Sequence, residues 1–265
     1  QVMVSRRGIP AYFKSFGDMD RERSKPVQDD TIYRIYSMTK PITSIALMML
    51  FEEGKFQLND PVSRFIPSWK GQQVWVAGRG DDMQTRAPKT VMTMRHLLSH
   101  TSGLSYGGML AGDSQPVDEV YQKLGVDRGD GETVSSFAEK LGQVPLRYDP
   151  GSNWLYSLAT DVCGCLVEFI SGQKFEDFLK NRIFDPLDMQ DTAFWVPEDK
   201  LSRFTANYAR GIDKSLKLLD DPQTSKYRQA PSFPSGGGGL VSTTADYARF
   251  CEMLRQKGSY NGQEI

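Results

Sequence analysis

The order of the predicted elements indicates an α/β or α+β fold with a helical insertion. Strand-like sequence and one long helix come first, helical patterns dominate the middle, and short strands with a final helix come last. We therefore expect two domains in the 265 residues: an α/β sheet domain made of residues 1–57 and 205–265, and a mostly helical domain made of residues 58–204.

Local patterns predict the elements in chain order. Val2–Arg6 and Ala11–Phe16 flank a Gly8-Ile9-Pro10 turn and form a hairpin, and the β-branched and aromatic run Thr31–Tyr36 forms a strand. A long helix runs from about Ser37 to Glu53. Further helices are predicted at Met94–His100, Val117–Leu124, Thr133–Leu141, Ala159–Ile170, Phe175–Arg182 and Thr243–Gln256, and further strands at Gln72–Ala77, Lys89–Thr93, Asn207–Arg210 and Leu216–Leu219.

The long helix has the clearest pattern. Pro41 lies in its first turn, where a missing N–H costs little, and Gly54 suits the position just after its end. Its apolar residues recur at the spacing of a buried helical face: Ile42, Ile45, Ala46, Met49 and Leu50. This helix therefore packs one side into the core.

Composition excludes several classes of protein. The 32 basic and 33 acidic residues give a net charge of −1, which does not indicate a nucleic-acid footprint or a polybasic membrane patch, so we expect neither nucleic acid nor a membrane as a partner. The longest apolar run, Ile45–Phe51, has seven residues, whereas a spanning helix needs about 20. Three cysteines cannot form a disulfide framework. We expect a cytoplasmic protein, although the chain begins at Gln1 without an initiator Met, so a removed leader stays open.

Other motifs exclude specific chemistry. No G-x-S-x-G occurs and no histidine follows His100, which excludes the α/β-hydrolase triad. The Gly236–Gly239 run is not a dinucleotide fingerprint, because Val241 stands where the last glycine belongs. His96 and His100 have the i, i+4 spacing of zinc ligands, but Leu97 replaces the glutamate of H-E-x-x-H. We expect no metal and no cofactor.

One catalytic spacing survives, the S-x-x-K of Ser37 to Lys40. Residues three apart share a helix face, so the Ser37 hydroxyl and the Lys40 amine can meet above the positive end of the helix dipole. A serine without histidine needs such a base. The alternative is an ordinary helix cap rich in Ser and Thr. A second match, Ser171 to Lys174, contains Gly172 and is typical of a helix end.

Four segments in order along the chain resemble the serine β-lactamase-like superfamily, more narrowly the class C β-lactamase-related, or family VIII, carboxylesterases. The segments that carry the resemblance are Tyr33–Thr43, His96–Leu104, Pro150–Leu158 and Gly236–Asp246. The resemblance implies a β-lactamase/transpeptidase-like fold, with an antiparallel sheet flanked by helices. It also implies a serine hydrolase that cleaves small-molecule esters through an acyl-enzyme.

The resemblance assigns roles residue by residue. Ser37 is the expected nucleophile, Lys40 its base, and Tyr156 their partner in proton transfer, because a phenol beside a cationic amine has its pKa lowered. The residues expected to bind substrate are Trp154, Leu158, Gly237 and Gly238. Leu158 stands where β-lactamases and carboxypeptidases usually have an asparagine whose amide contacts the substrate. This departure favours simple carboxylic esters over penicillins or peptidoglycan stems.

A second departure concerns the family's third motif. No Lys-Thr-Gly or Trp-Gly-Gly occurs before Ile265, so we expect that the sequence lacks C-terminal strands carrying this motif and one oxyanion donor. Three alternatives remain open: a β-lactamase or D-alanyl-D-alanine carboxypeptidase, an acyltransferase of the same fold, and a catalytically silent binder of peptidoglycan-like ligands. Oligomeric state is not predicted.

Overall fold

The computed structural model describes residues 1–109, 112, 114–129 and 131–265. The strands in this part of the chain are β1 Val2–Arg6, β2 Ile9–Lys14, β3 Asp18–Asp20, β4 Lys25–Pro26, β5 Tyr33–Arg34, β6 Val74–Ala77, β7 Gln84–Arg86, β8 Asn207–Arg210, β9 Leu216–Asp220, β10 Val241–Ser242, β11 Ser259–Tyr260 and β12 Gln263–Glu264. The α-helices are α1 Thr39–Glu52, α2 Met94–Leu98, α3 Asp118–Lys123, α4 Val134–Gly142, α5 Ala159–Ser171, α6 Phe175–Leu179 and α7 Thr244–Arg255. Shorter helical turns lie at Tyr36–Met38, Val62–Arg64, Pro67–Gly71, Gly80–Asp82, Lys180–Phe184, Glu198–Arg203 and Lys226–Arg228.

The chain folds into two compact units. The first, called here the strand unit, contains residues 1–36, 179–231 and 239–265, and the second, the helical unit, contains residues 37–178 and 232–238. The predicted domain limits, at residues 57 and 205, differ from the limits of these units and stay a prediction about domains.

The strand unit is built from short antiparallel ladders. β1 pairs with β2, β3 with β4, β8 with β9, and β11 with β12. β5 pairs with β10 far along the chain, in a register that sets Arg34 opposite Val241. Buried apolar residues form the core of this unit: Ile32, Val196, Phe204, Tyr227 and Val241. Burial of this apolar area stabilises the long-range pairing, because two-residue ladders alone are too short to hold.

The helical unit is centred on α5, against which α1, α2 and α4 pack. The first nine residues of α5 are buried, which fits an apolar helix covered on several sides. Cys163 and Cys165 lie there as free thiols, and burial raises the pKa of both. They are therefore inert packing residues at neutral pH. α5 ends at Gly172, whose φ of 71° is the left-handed conformation that glycine adopts without a Cβ clash.

Most predicted elements are confirmed within one or two residues, and one strand was wrong. Lys89–Thr93 forms no strand, apart from an isolated bridge between Thr93 and Pro61. Its polar groups bind a neighbouring loop instead: Lys89 N–H donates to the Asp149 carboxylate, and the Thr90 hydroxyl donates to the Pro150 carbonyl. Hydrogen bonds between side chains and backbone thus replace the ladder that the β-branched composition predicted.

Two other predicted elements are shorter than expected. The strand Thr31–Tyr36 keeps only Tyr33–Arg34, and the long helix begins at Thr39 after a tight turn through Ser37. Among the residues described, no helix combines the length and apolarity that crossing a membrane requires.

Candidate active site

Ser37 lies on the tight turn that leads into α1. The chain enters this turn through Tyr36, whose φ of 44° is left-handed, a conformation that non-glycine residues adopt mainly where the fold imposes it. Ser37 is exposed, whereas Lys40 in the first turn of α1 is buried. The Lys40 Nζ donates to the Ser37 Oγ at 3.1 Å, the proximity that the S-x-x-K spacing predicts.

Tyr156 reaches the same oxygen from the segment that precedes α5. Its hydroxyl donates to the Ser37 Oγ at 2.9 Å. Its ring packs against the rings of His100 and Tyr106, with centroid distances of 4.9 and 5.2 Å. The Lys40 Nζ lies 4.7 Å from the centroid of the Tyr156 ring. The Ser37 Oγ therefore accepts hydrogen bonds from Lys40 and Tyr156, the two groups predicted to transfer its proton.

The pKa of Tyr156 is lowered from the ordinary value of a phenol. Partial burial raises this pKa, but hydrogen bonds with Lys40 and Ser37 and the positive charge of Lys40 outweigh burial. The direction expected from the sequence is confirmed. A phenol of lowered pKa can exchange a proton with its neighbours closer to neutral pH.

The two aromatic neighbours of Tyr156 stay uncharged at neutral pH. Burial, and then the negative charge of Asp161, raise the pKa of Tyr106. Burial, and then the positive charge of Lys40, lower the pKa of His100 to about 4. A neutral His100 and a neutral Tyr106 therefore pack against Tyr156 without adding a charge of their own.

The glycine run completes the surroundings of Lys40. The Lys40 Nζ donates to the Gly237 carbonyl at 2.5 Å, and the Thr43 hydroxyl, one turn further along α1, donates to the Gly236 carbonyl at 2.8 Å. Lys40 is thus held between Gly237 and Ser37. Gly238 is half-buried, and its N–H donates to the Ser235 carbonyl at 3.3 Å.

The residues predicted to bind substrate differ in their exposure. Trp154 is 66% exposed and stacks on Tyr156 at a centroid distance of 6.2 Å. Leu158 is fully buried at the start of α5, so contact between this side chain and a substrate requires movement of the residues that cover it. The Gly237 carbonyl is already engaged by Lys40. The substrate-binding role of these residues, Gly238 included, stays a prediction.

Asp161, which lies beside the site, was not predicted from the sequence. Its Oδ1 accepts hydrogen bonds from the Ser235 hydroxyl at 2.5 Å and from the Gly237 N–H at 3.0 Å. A signal was present, because Asp161 is a charged residue in the buried first part of α5, and aspartate is almost never buried without a partner. Tyr106 gave no such signal, since aromatic residues are common in cores.

The side chains hydrogen-bonded to Ser37 differ in type from the usual ligands of a metal ion. Within the described ranges, no cluster of three or more His, Cys, Asp or Glu side chains has the arrangement of a metal site. The chemistry offered by the groups at Ser37 is instead that of a serine hydroxyl bonded to an amine and a phenol. Such a hydroxyl can be deprotonated as it attacks a carbonyl carbon, which is the first step of acyl transfer.

The fold and the geometry around Ser37 agree with one family of proteins. The Beta-lactamase family model matches residues 1–265, and the chain belongs to that family. The fold is accordingly the β-lactamase/transpeptidase-like fold expected from the sequence.

Named relatives agree with the family. Protein Rv1367c of Mycobacterium tuberculosis is 34% identical over 264 residues, which cover 100% of this chain and 64% of that protein. Esterase EstB of Burkholderia gladioli is 32% identical over 273 residues, with 96% of this chain and 64% of EstB covered. The solved structure of EstCE1, described as a hydrolase with promiscuous acyltransferase activity, matches with a TM-score of 0.80 at 28% identity, over 99% of this chain and 67% of that one. The chain thus spans 64% of the length of these two curated relatives.

Proposed function

We propose that this protein is a serine carboxylesterase that hydrolyses small-molecule esters through an acyl-enzyme intermediate on Ser37. The observation that carries the proposal is the pair of hydrogen bonds at the Ser37 Oγ, 3.1 Å from the Lys40 Nζ and 2.9 Å from the Tyr156 oxygen. The similarity to Esterase EstB supports the same reaction. An amine and a phenol replace the imidazole of other serine hydrolases.

In the acylation step, the Lys40–Tyr156 pair takes the proton of the Ser37 hydroxyl while the Oγ bonds to the ester carbonyl carbon. The carbonyl electrons move onto oxygen and form a tetrahedral oxyanion, toward which the Ser37 backbone N–H donates. The oxyanion then collapses and breaks the bond to the alcohol oxygen. The same pair returns the proton to that oxygen, so the alcohol leaves neutral.

In the deacylation step, water takes the place of the alcohol. The pair accepts a proton from water as the water oxygen bonds to the acyl carbon. Collapse of the second tetrahedral intermediate breaks the bond between that carbon and the Ser37 Oγ, which recovers the proton. The carboxylic acid is released and the enzyme returns to its starting state.

The surroundings of Ser37 favour simple esters as substrates. Leu158 stands where an asparagine amide would contact a peptide-like substrate, and it is fully buried. Trp154, which stacks on Tyr156, is instead 66% exposed and offers an apolar surface beside the site. An apolar acyl or alcohol group gains about 25 cal/mol for each Å² that such surfaces remove from water.

A second candidate function is acyl transfer to an alcohol. The specific observation in its favour is the match to EstCE1, a hydrolase whose description includes promiscuous acyltransferase activity. The chemistry needs no further group, because an acceptor alcohol replaces water in the second step. Adding a primary alcohol to the ester assay distinguishes the two, since a transferase yields a new ester and a hydrolase yields the acid.

The test is a paired assay on the full-length protein. We expect p-nitrophenyl butyrate to be hydrolysed, nitrocefin to be hydrolysed little, and the Ser37→Ala variant to turn over neither. Nitrocefin turnover above ester turnover would instead favour a β-lactamase or carboxypeptidase. Turnover of neither substrate by a folded wild type would favour a silent ligand binder and contradict the proposal.

A further inference from the structure

A carboxylate is buried behind the glycine run. Asp161, in the first turn of α5, has a fully buried side chain. Its Oδ1 accepts from the Ser235 hydroxyl and from the Gly237 N–H, whereas its Oδ2 accepts no hydrogen bond from the residues described. The nearest cation to Oδ2 is the Arg128 guanidinium at 3.9 Å, too far for a hydrogen bond.

Burying this carboxylate is costly. A charged group loses its hydration in the interior, and an oxygen left without a donor recovers none of that loss. The two hydrogen bonds at Oδ1 and the more distant Arg128 offset the cost only in part. The fold therefore retains an energetically costly group beside the glycine run.

Both backbone polar groups of Gly237, its N–H and its carbonyl, are hydrogen-bonded to side chains. Its N–H donates to Asp161 and its carbonyl accepts from Lys40, so a single peptide segment links the carboxylate to the amine. Neither Gly236 nor Gly237 has room for a side chain. A Cβ built on Gly237 would lie 2.3 Å from the Asp161 Oδ2, and one on Gly236 would lie 2.8 Å from the Thr160 carbonyl oxygen. The glycine run thus allows close approach to the first turn of α5.

We infer that Asp161 is a positioning residue of the active site: it fixes the Ser235–Gly237 segment, and the Gly237 carbonyl in turn holds the Lys40 amine against Ser37. The inference rests on the proposed function, because it assigns the segment a part in activating Ser37. Asp161 acts through Gly237 and touches neither the serine nor the substrate.

The charged and titratable groups that face Lys40 determine how the pH dependence of the reaction changes when Asp161 is replaced. They are Tyr156, whose ring the Lys40 Nζ faces at 4.7 Å, Tyr106 at 5.7 Å, and His100, whose pKa is lowered by burial and then by the charge of Lys40. Arg128, 5.9 Å from the Tyr106 ring, and Asp161 complete the set of charges. Removing the negative charge of Asp161 disfavours the protonated form of the Lys40–Tyr156 pair. The acid limb of the reaction therefore shifts to lower pH.

The test uses covalent labelling of Ser37 by a fluorophosphonate, which does not depend on the choice of ester. We expect the plateau rate constant at high pH to fall about 10-fold in Asp161→Asn and about 100-fold in Asp161→Ala, since a displacement near 1 Å costs about that much. The pH midpoint of Asp161→Asn moves to lower pH. Ser235→Ala, which keeps the charge but loses one donor, lowers the plateau while the midpoint stays in place.

Asp246→Asn is the matched control. Asp246 is 3% exposed and accepts hydrogen bonds from the Asp191 N–H and the Thr192 hydroxyl, which belong with it to the strand unit. All rates are compared per mole of folded protein, measured by circular dichroism. A plateau within about twofold of wild type in folded Asp161→Asn, with an unmoved midpoint, overturns the inference while leaving the proposed function intact. Failure of the wild type to label overturns both.

Discussion

The phenol of Tyr156 combines two contacts that an ordinary surface tyrosine does not have. Its oxygen donates to the Ser37 Oγ, and its ring faces the Lys40 ammonium. The same charge that lowers the pKa of the phenol also attracts the ring face. Tyr156 therefore depends on Lys40 both for its position and for its acidity.

Replacing Tyr156 with phenylalanine keeps the ring that faces Lys40 and removes the hydroxyl whose acidity Lys40 raises. We expect Tyr156→Phe to lower kcat for p-nitrophenyl butyrate by about 10²- to 10⁴-fold, because a positioned acid–base group contributes that much. We expect the wild-type rate to rise with pH as the phenol of lowered pKa loses its proton, and this rise to be weakened in the variant. Stability falls by about 1–3 kcal/mol, since the ring packing stays and the hydrogen bonds of the phenol with Ser37 and Lys40 are lost.

The measurement is a pH–rate profile with urea unfolding of the same samples. Tyr12→Phe is a matched control, because Tyr12 is 44% exposed on β2 in the strand unit. Full activity of Tyr156→Phe, with an unchanged profile, would remove the phenol from the mechanism.

Among the elements, the segment from Ser235 to Gly237 connects to both central helices of the helical unit. Its carbonyls accept hydrogen bonds from Lys40 and Thr43 on α1, and the Gly237 N–H donates to Asp161 on α5. Three backbone groups of this buried segment are thus satisfied by side chains rather than by a ladder. A side chain at Gly237 would disturb all of these contacts at once.

We expect Gly237→Ala to lower both stability and activity. The new Cβ would lie 2.3 Å from the Asp161 Oδ2, so the segment has to move away from Lys40. The expected losses are about 1–3 kcal/mol in the free energy of unfolding and at least about 10-fold in kcat. Gly71→Ala is the control, because a Cβ there meets nothing within 4 Å. Equal behaviour of the two variants would contradict the close approach.

The sequence predicted elements well where the pattern is local. α4, α5 and α7 have caps and apolar faces that lie within one helix, and their predicted limits hold within one or two residues. The ladder of β3 with β4 and that of β11 with β12 were not predicted, since each strand has only two or three residues. Such short strands carry no periodicity.

The site was predictable to a similar extent. The spacing of Ser37 and Lys40 follows from helix geometry, whereas Tyr156 was identified only by resemblance to a family. Asp161 was missed because its partners Ser235 and Gly237 lie far along the chain. A single sequence does not show which distant segments meet.

At the scale of the whole molecule, Arg34 connects segments of the strand unit that lie far apart along the chain. Its guanidinium donates to the Thr205 carbonyl at 2.6 Å and to the Asp220 carboxylate at 2.7 Å. It also lies 4.0 Å from the centroid of the Phe204 ring and 5.4 Å from that of Tyr227. One buried cation thus connects β5 to residues more than half the chain away.

We expect Arg34→Met to destabilise the protein by about 3 kcal/mol, because the Asp220 carboxylate and the Thr205 carbonyl lose a buried partner. Arg64→Met is the control, since Arg64 pairs with Asp60 at 2.6 Å but its side chain is 58% exposed. Exposed pairs of this kind contribute about 0–1 kcal/mol. Urea unfolding measures both, and a loss at Arg34 no larger than that at Arg64 would contradict the buried role.

The candidate site belongs to one unit. Ser37, Lys40, Tyr156, Asp161 and Gly237 all lie in the helical unit. Mutations in the core of the strand unit are therefore expected to act on stability, and mutations near α1 and α5 on catalysis as well.

The most direct test of the central claim is the mass of the peptide that contains Ser37. Full-length protein is mixed with p-nitrophenyl acetate, quenched in acid within the first turnover, digested and analysed by mass spectrometry. We expect this peptide to gain one acetyl group on Ser37, and the adduct to be absent from Ser37→Ala. Rapid release of p-nitrophenol with the acetyl group on another residue, or on none, would contradict an acyl-enzyme on Ser37.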